Sequence, residues 1–194
     1  MQIICGSVEN VELNPHEVCR RLQIPRGFSL DGVDRCAERL RGVMNCRYAY
    51  VRVPVDCTEA GICRFDFGEI KSEALSANLR GCSEAFLLAV TVGIGVDRLL
   101  HRLNLLSQAE HFITDGLASA AAEALCDEAN SIIAQGMTHG SLKPRFSPGY
   151  GDVPLSVQVP LLRRLCAEQT LGITLNSACL MTPMKSITAV IGIY

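Results

Sequence analysis

The stretch that decides the fold class is Glu84-Ala85-Phe86-Leu87-Leu88-Ala89-Val90-Thr91-Val92. After Glu84 it is almost continuously apolar, which is typical of a central β-strand that is buried on both of its faces. Gly93 and Gly95 follow it and end the strand. The sequence therefore predicts a sheet with this strand at its centre and other elements packed on each side.

Other strands flank this one along the chain. Residues 47–55 alternate tyrosine and arginine with small apolar residues, and Pro54 indicates the end of that strand or an edge position. Residues 62–67 form a candidate partner strand, and residues 173–178 and 186–193 give two more at the end of the chain. Strands that are grouped in this way, as hairpins, favour antiparallel pairing.

Helical segments lie between the strands, because apolar residues recur there at helical spacing. Asn14 and Pro15 provide the start of a short first helix. The predicted helices cover about residues 15–22, 29–44, 72–79, 97–105, 109–134 and 154–169. The fold class that follows is α+β, a twisted and largely antiparallel sheet with several packed helices, in one domain over residues 1–194.

Composition restricts the function. The chain has 194 residues, 48% of them hydrophobic, which is enough for one sizeable core. Its 18 basic and 20 acidic residues give a net charge of −2, so nucleic acid and anionic membranes are not expected partners. The longest apolar run has 12 residues, too few for a membrane helix, and the N-terminus does not resemble a signal peptide. We expect a soluble cytoplasmic protein.

The ten cysteines do not form a metal motif. The closest pair, Cys57 and Cys63, is six residues apart, whereas a structural metal site usually takes two cysteines from a single turn. We expect most of these thiols to be small buried hydrophobic groups and expect no metal site. A third interpretation is an unrelated α+β enzyme that uses one of the cysteines.

Other catalytic or cofactor motifs are weak. Gly93-Ile94-Gly95 lacks the third glycine of a dinucleotide fingerprint, because Arg98 stands at that position, so a strand-to-helix turn is favoured. The four histidines stand apart from each other and from any recognisable nucleophile motif. The residues give no basis for a hydrolase.

Residues 143–150, Lys-Pro-Arg-Phe-Ser-Pro-Gly-Tyr, form a stiff loop that carries one guanidinium and one phenol. Arg145 can hold a carboxylate through two parallel hydrogen bonds, and Gly149 lets a ligand approach the backbone. From these properties alone the loop is either a ligand clamp or an ordinary surface loop before a helix.

The segment Arg145 to Tyr150 resembles the R-x-x-x-G-Y signature of the activation domain of cobalamin-dependent methionine synthase. Residues 115–124 resemble that family's Ala-rich helix with its A-E-A core. Met181, Pro183 and Ser186 match its M-x-P-x-x-S turn. The similarity is good over residues 72–194, while residues 1–71 match by element order and by the phrase Leu-Asn-Pro-His-Glu-Val at 13–18.

The resemblance implies a reactivation role. The family's domain presents S-adenosylmethionine to oxidised cob(II)alamin, and one-electron reduction with methyl transfer restores methylcobalamin. Because this chain has no D-x-H-x-x-G cobalamin-ligand motif, the cobalamin would be carried by a partner protein or domain of a methionine synthase or related corrinoid methyltransferase. A flavodoxin- or ferredoxin-like protein is the implied electron donor.

The resemblance also assigns residues. Arg145 would bind the methionine carboxylate and Glu123 the polar end of the ligand, while the backbone at Ser147 and Gly149 would contact the nucleoside. Tyr150 would face the cobalt side and takes the catalytic position. On the last strand, the residues that would pass the ligand are Ile191 and Gly192.

The chain departs from the family after Tyr150. There the family continues P-A-C-P-x-H, whereas this chain has Gly151-Asp152-Val153-Pro154, so no contacts of that cysteine or histidine carry over. This difference motivates the alternative of a non-catalytic module that binds S-adenosylmethionine or a corrinoid protein.

Overall fold

The computed structural model describes residues 2–13, 18 and 30–194. Within them, six strands form one sheet in which every pairing is antiparallel. The strands are β1 (Ile4–Ser7), β2 (Arg47–Asp56), β3 (Ile62–Phe65), β4 (Gly68–Lys71), β5 (Glu84–Thr91) and β8 (Ser186–Ile193). Their order is β4-β3-β2-β5-β8, and β1 also pairs with β2. The predicted α+β class is confirmed.

Strand β5 lies between β2 and β8, as the apolar stretch predicted. It pairs with β2 from Arg47 to Pro54 and with β8 along its whole length. Leu87, Leu88 and Ala89 are completely buried, because both faces of the strand are covered. Pro54 pairs with Glu84 of β5, and on the opposite edge of β2 it lies between the residues that pair with β1 and those that pair with β3.

Helices cover both faces of the sheet. They are α1 (Leu30–Arg41), α2 (Glu73–Asn78), α3 (Ile94–Leu106), α4 (Gln108–Gln135), α5 (Gln158–Arg164) and α6 (Ala167–Leu171), with a short 3₁₀ turn at Leu155–Val157. The first core cluster joins α1, α3 and α4 to one face, and the second joins α2, α5 and α6 to the other. Buried alanines such as Ala118, Ala121 and Ala122 line the inner side of α4, which allows the helix to pack closely.

Some predicted elements differ from the structure. The single helix predicted over residues 154–169 is divided at Cys166, whose φ of 49° is left-handed and interrupts the helical path. The strand predicted over residues 173–178 is only β6 (Thr174–Leu175), paired with β7 (Met181–Thr182). It ends early because the side chain of Asn176 accepts hydrogen bonds from the N–H groups of Ala178 and Leu180 and closes a turn.

The strand predicted over 62–67 ends at Phe65, where a turn leads into β4. Neither β4 nor β1 was predicted, because each is only four residues long and carries little periodicity. The helix predicted over residues 15–22 lies outside the described residues apart from position 18. None of the helices described is both long enough and apolar enough to cross a membrane.

Five of the nine cysteines in the described part of the chain are buried, as predicted for small hydrophobic groups, whereas Cys5 and Cys166 are exposed. Cys36, Cys46, Cys63, Cys82 and Cys126 are buried. Burial raises the pKa of Cys46 and of Cys126 to about 11, which keeps both thiols protonated near neutral pH. Such thiols are poor nucleophiles.

Candidate functional site

The segment before Arg145 is fixed to the edge of the sheet. It runs antiparallel beside β8, with Leu142 opposite Ile193 and Phe146 opposite Val190. The N–H of Phe146 donates to the carbonyl of Val190 at 2.9 Å, and the N–H of Val190 donates back at 2.8 Å. The position of Arg145 is therefore determined by sheet-like pairing, although the segment is a loop in sequence.

The turn after Phe146 depends on Gly149. Its φ of 90° belongs to the region that favours glycine, and a Cβ there would lie 3.3 Å from Cδ1 of Leu155. The N–H of Gly149 donates to the carbonyl of Val153, and the N–H of Tyr150 donates to that of Ser147. The turn leaves the Tyr150 side chain at the surface, 69% exposed.

Asp152 fastens the far end of this turn to helix α2. Its carboxylate accepts hydrogen bonds from the Ser72 hydroxyl, from the N–H of Glu73 at 2.7 Å and from the N–H of Ala74 at 3.3 Å. The Ser72 hydroxyl and then these N–H groups hold the pKa of Asp152 below its usual range. The Gly151-Asp152 sequence that departs from the family pattern thus has a definite structural role here.

Helix α4 supplies the carboxylates that face Arg145. Oδ1 of Asp127 lies 2.6 Å from Nη1 of Arg145, and Oε2 of Glu123 lies 3.7 Å from Nη2. Glu123 and Asp127 are one helical turn apart, so both side chains leave the same face of the helix. Asp127 was not predicted as a site residue, although its spacing of four from Glu123 is a signal that could have identified it.

A cavity of about 460 Å³ opens between α4, the loop, α5 and β8. Four of the predicted site residues line it: Glu123, Arg145, Ser147 and Tyr150. Gly149 shapes the loop beside the cavity without lining it. The lining also includes residues that were not predicted, among them Met181, Gln158, Ser186, Ile187 and Thr188.

Ile191 and Gly192 lie away from this cavity. Ile191 is completely buried in the core cluster of α1, α3 and α4. A Cβ on Gly192 would lie 2.7 Å from Sγ of Cys82 and 2.8 Å from Cδ2 of Leu79, so that residue serves close packing on the opposite face. The structure therefore does not bring these two predicted residues together with the others, because their half of β8 is covered.

The cavity lies instead at the other half of β8, around Thr188. Main-chain groups of alternate residues in a strand point to opposite edges. Since Val190 and Gly192 bond outward to Phe146 and Lys143, Thr188 also directs its N–H and C=O outward, and neither has a hydrogen-bond partner among the described residues. Sequence reasoning missed this edge, although the M-x-P-x-x-S turn at Met181 to Ser186 leads directly into it.

Uncharged polar side chains complete the cavity beside this edge. The Ser186 hydroxyl donates to the Pro183 carbonyl at 2.7 Å and lies 2.9 Å from the Thr91 hydroxyl. Gln158, the first residue of α5, is only 6% exposed, and its Oε1 has no hydrogen-bond partner in the described part of the chain. The cavity thus has a charged wall, defined by Glu123 and Arg145, and an uncharged wall, defined by Gln158, Ser186 and Thr188. Asp127 does not line the cavity and pairs with Arg145 beside the charged wall.

No protein-family model and no curated protein sequence matches the chain. Among solved structures, the chain is similar to the MetH reactivation domain bound to AdoHcy, with a TM-score of 0.68 and 14% sequence identity. The superposition covers 99% of this chain and 78% of that one. The likeness expected from the sequence is confirmed at the level of the fold: this chain has the fold of the MetH reactivation domain.

Proposed function

We propose that the chain is an S-adenosylmethionine-binding reactivation subunit that supports reductive methylation of cob(II)alamin on a partner, a cobalamin-dependent methionine synthase or related corrinoid methyltransferase. One observation carries the proposal. Glu123, Arg145, Ser147 and Tyr150 meet in a single cavity, in a fold shared with a reactivation domain that was solved with bound AdoHcy.

The charged wall suits the amino-acid end of the ligand. Asp127 occupies Nη1 of Arg145, whereas Nη2 is 3.7 Å from Glu123, beyond ordinary hydrogen-bond distance, and can donate to the ligand's carboxylate. Glu123 is then available to the ligand's ammonium group. Glu123 and the neighbouring Asp127, beside one guanidinium, leave this side of the cavity net negative, which favours a ligand that also carries a cationic sulfonium.

The edge of β8 suits the nucleoside. Thr188 offers a main-chain donor and acceptor there, and the turn at Ser147 closes the cavity from the other side. A nucleoside carries both donors and acceptors, so it can extend the hydrogen bonding of an uncovered strand edge.

Tyr150 lies at the exposed rim of the cavity. The bound ligand would supply a methyl group on a sulfonium, and the reaction takes one electron from a flavodoxin- or ferredoxin-like donor. In this arrangement Tyr150 orients the methyl toward the rim, where the partner's corrinoid can approach. Its ring also provides an apolar and cation-compatible surface for the sulfonium.

Calorimetric titration with S-adenosylmethionine tests the binding step. We expect Arg145→Ala to raise the Kd about 10- to 100-fold, because a charge-assisted hydrogen bond to the carboxylate is lost. Arg164→Ala is the matched control: Arg164 pairs with Asp66 at 2.9 Å and is 23% exposed, against 25% for Arg145. No binding by the wild type, or equal binding by Arg145→Ala, would refute the assignment.

The second candidate is a non-catalytic binding module. Asp152 favours it, because the stretch in which the family carries P-A-C-P-x-H is used here to fasten the loop to α2. Incubation with a cob(II)alamin-loaded partner, a reductant and methyl-labelled S-adenosylmethionine separates the two. Label on cobalt supports reactivation, and ligand binding without label transfer supports the module.

A further inference from the structure

Gln158 is a buried polar group that the contacts within the protein leave incomplete. It is 6% exposed, it lines the cavity, and its Oε1 accepts no hydrogen bond among the described residues. Burying an amide oxygen without a partner is unfavourable by about 1–3 kcal/mol, so such groups normally have a reason to be retained. A donor on a cavity ligand would satisfy it.

Other unpartnered buried amide oxygens in the described chain lie elsewhere. Asn78 and Asn130 each have a buried Oδ1 without a partner, and neither residue lines this cavity. The buried Thr114 hydroxyl also lies outside it. Gln158 is therefore distinguished by its location as well as by its missing partner.

Charge separates the two ends of the ligand. The charged wall at Glu123 and Arg145 takes the amino-acid end, as proposed above. Gln158 belongs to the uncharged wall with Ser186 and Thr188, which leaves it for the nucleoside end. A glutamine amide can accept from the adenine N6 amino group and donate to the adjacent N7, a bidentate pairing that suits adenine.

We propose that Gln158 is an adenine-reading residue: its Oε1 accepts a hydrogen bond from the exocyclic amino group of the ligand. The proposal rests on the proposed function. It adds a specificity that the charged wall cannot provide, since that wall contacts groups that do not distinguish one nucleobase from another.

The test compares S-adenosylhomocysteine with S-inosylhomocysteine, which differ only in the purine ring, by calorimetry. The inosine ligand presents an acceptor oxygen where adenine has its amino group. We expect the wild type to prefer the adenine ligand about 10-fold or more. Gln158→Met keeps the length of the side chain but removes its amide, and it should raise the Kd of the adenine ligand about 10-fold and remove the preference.

Two further variants test whether a change in ligand binding comes from the Gln158 amide itself. Thr114→Val removes a buried polar group outside the cavity, and its binding should equal that of the wild type. Gln158→Asn keeps an amide but shortens the side chain by one methylene, so it should weaken the preference for the adenine ligand. This variant keeps the test decisive even if Gln158→Met folds poorly. An unchanged preference in a folded Gln158 variant would overturn the proposal.

Failure of the proposed function would look different. If the wild type binds neither S-adenosylmethionine nor S-adenosylhomocysteine, both the proposed function and the proposed role of Gln158 are refuted. If Arg145→Ala weakens both homocysteine ligands while Gln158→Met changes nothing, the function stands and the role of Gln158 alone is refuted.

Discussion

The two halves of strand β8 have different surroundings, although side chains alternate between the two faces of the sheet in the same way along the whole strand. From Val190 to Ile193 the outer edge is covered by residues 142–146, and Gly192 packs against Cys82 and Leu79. From Ser186 to Thr188 no segment of the described structure hydrogen-bonds to that edge, and the cavity lies beside it, although Ser186 and Thr188 are themselves buried. Hydrogen bonding along the edge, rather than the residue types along the strand, distinguishes the packed half from the half that borders the candidate site.

The largest expected effect is on the covered half. We predict that Gly192→Ala lowers the free energy of unfolding by about 1–3 kcal/mol, because its Cβ would overlap Cys82 and Leu79. Its Kd for S-adenosylmethionine should match that of the wild type. Urea unfolding and calorimetry measure the two quantities. Gly42→Ala, where the nearest atoms are 3.6 Å away, is the control. Lost binding with full stability would return Gly192 to the ligand site.

The open half should differ in amide exchange. Val190 donates its N–H to Phe146, whereas the N–H of Thr188 has no partner in the described chain. We expect the Thr188 amide to exchange about 10-fold faster than Val190, since exchange protection follows hydrogen bonding. S-adenosylmethionine should slow Thr188 and leave Val190 unchanged. If NMR shows that both amides are equally protected from exchange without ligand, the proposed difference in hydrogen bonding between the two halves of β8 is wrong.

A smaller effect is expected at the loop that borders the open half. The pKa of Asp152 is lowered in the folded state, so in acid the unfolded chain binds more protons than the folded chain. The contribution of Asp152 to the free energy of unfolding is therefore fully present above its unfolded pKa of about 4. That contribution is lost as pH falls through the lower folded pKa. We predict that Asp152→Asn reduces the urea midpoint near neutral pH and that its difference from wild type shrinks in acid. A constant difference across pH would contradict this.

Much of the fold follows from local patterns. The apolar run at residues 84–92 and the helical spacing in residues 97–134 are long enough for burial to determine their structure. The short strands β1 and β4 carry little periodicity of their own and depend on pairing with distant segments. The break at Cys166 could not be predicted, because its left-handed φ falls on a cysteine and not on a glycine, asparagine or aspartate, the residues that usually mark this conformation.

The candidate site divides in the same way. Arg145 and Tyr150 are marked by a distinctive local sequence, and Glu123 by its place in an Ala-rich helix. Gln158 and Thr188 have no such mark. Each becomes part of the cavity only because α5 and the uncovered edge of β8 meet in three dimensions. Ile191 and Gly192 were expected there from the family resemblance, and nothing in the sequence itself reveals which half of β8 is covered.

The most direct measurement is a crystal structure of the protein with S-adenosylmethionine. The account predicts the ligand's carboxylate at Arg145, its ammonium group near Glu123 and its nucleoside along Thr188 and Gln158. Ligand bound elsewhere, for example in the separate cavity lined by Cys57, Arg80 and Cys82, would contradict it.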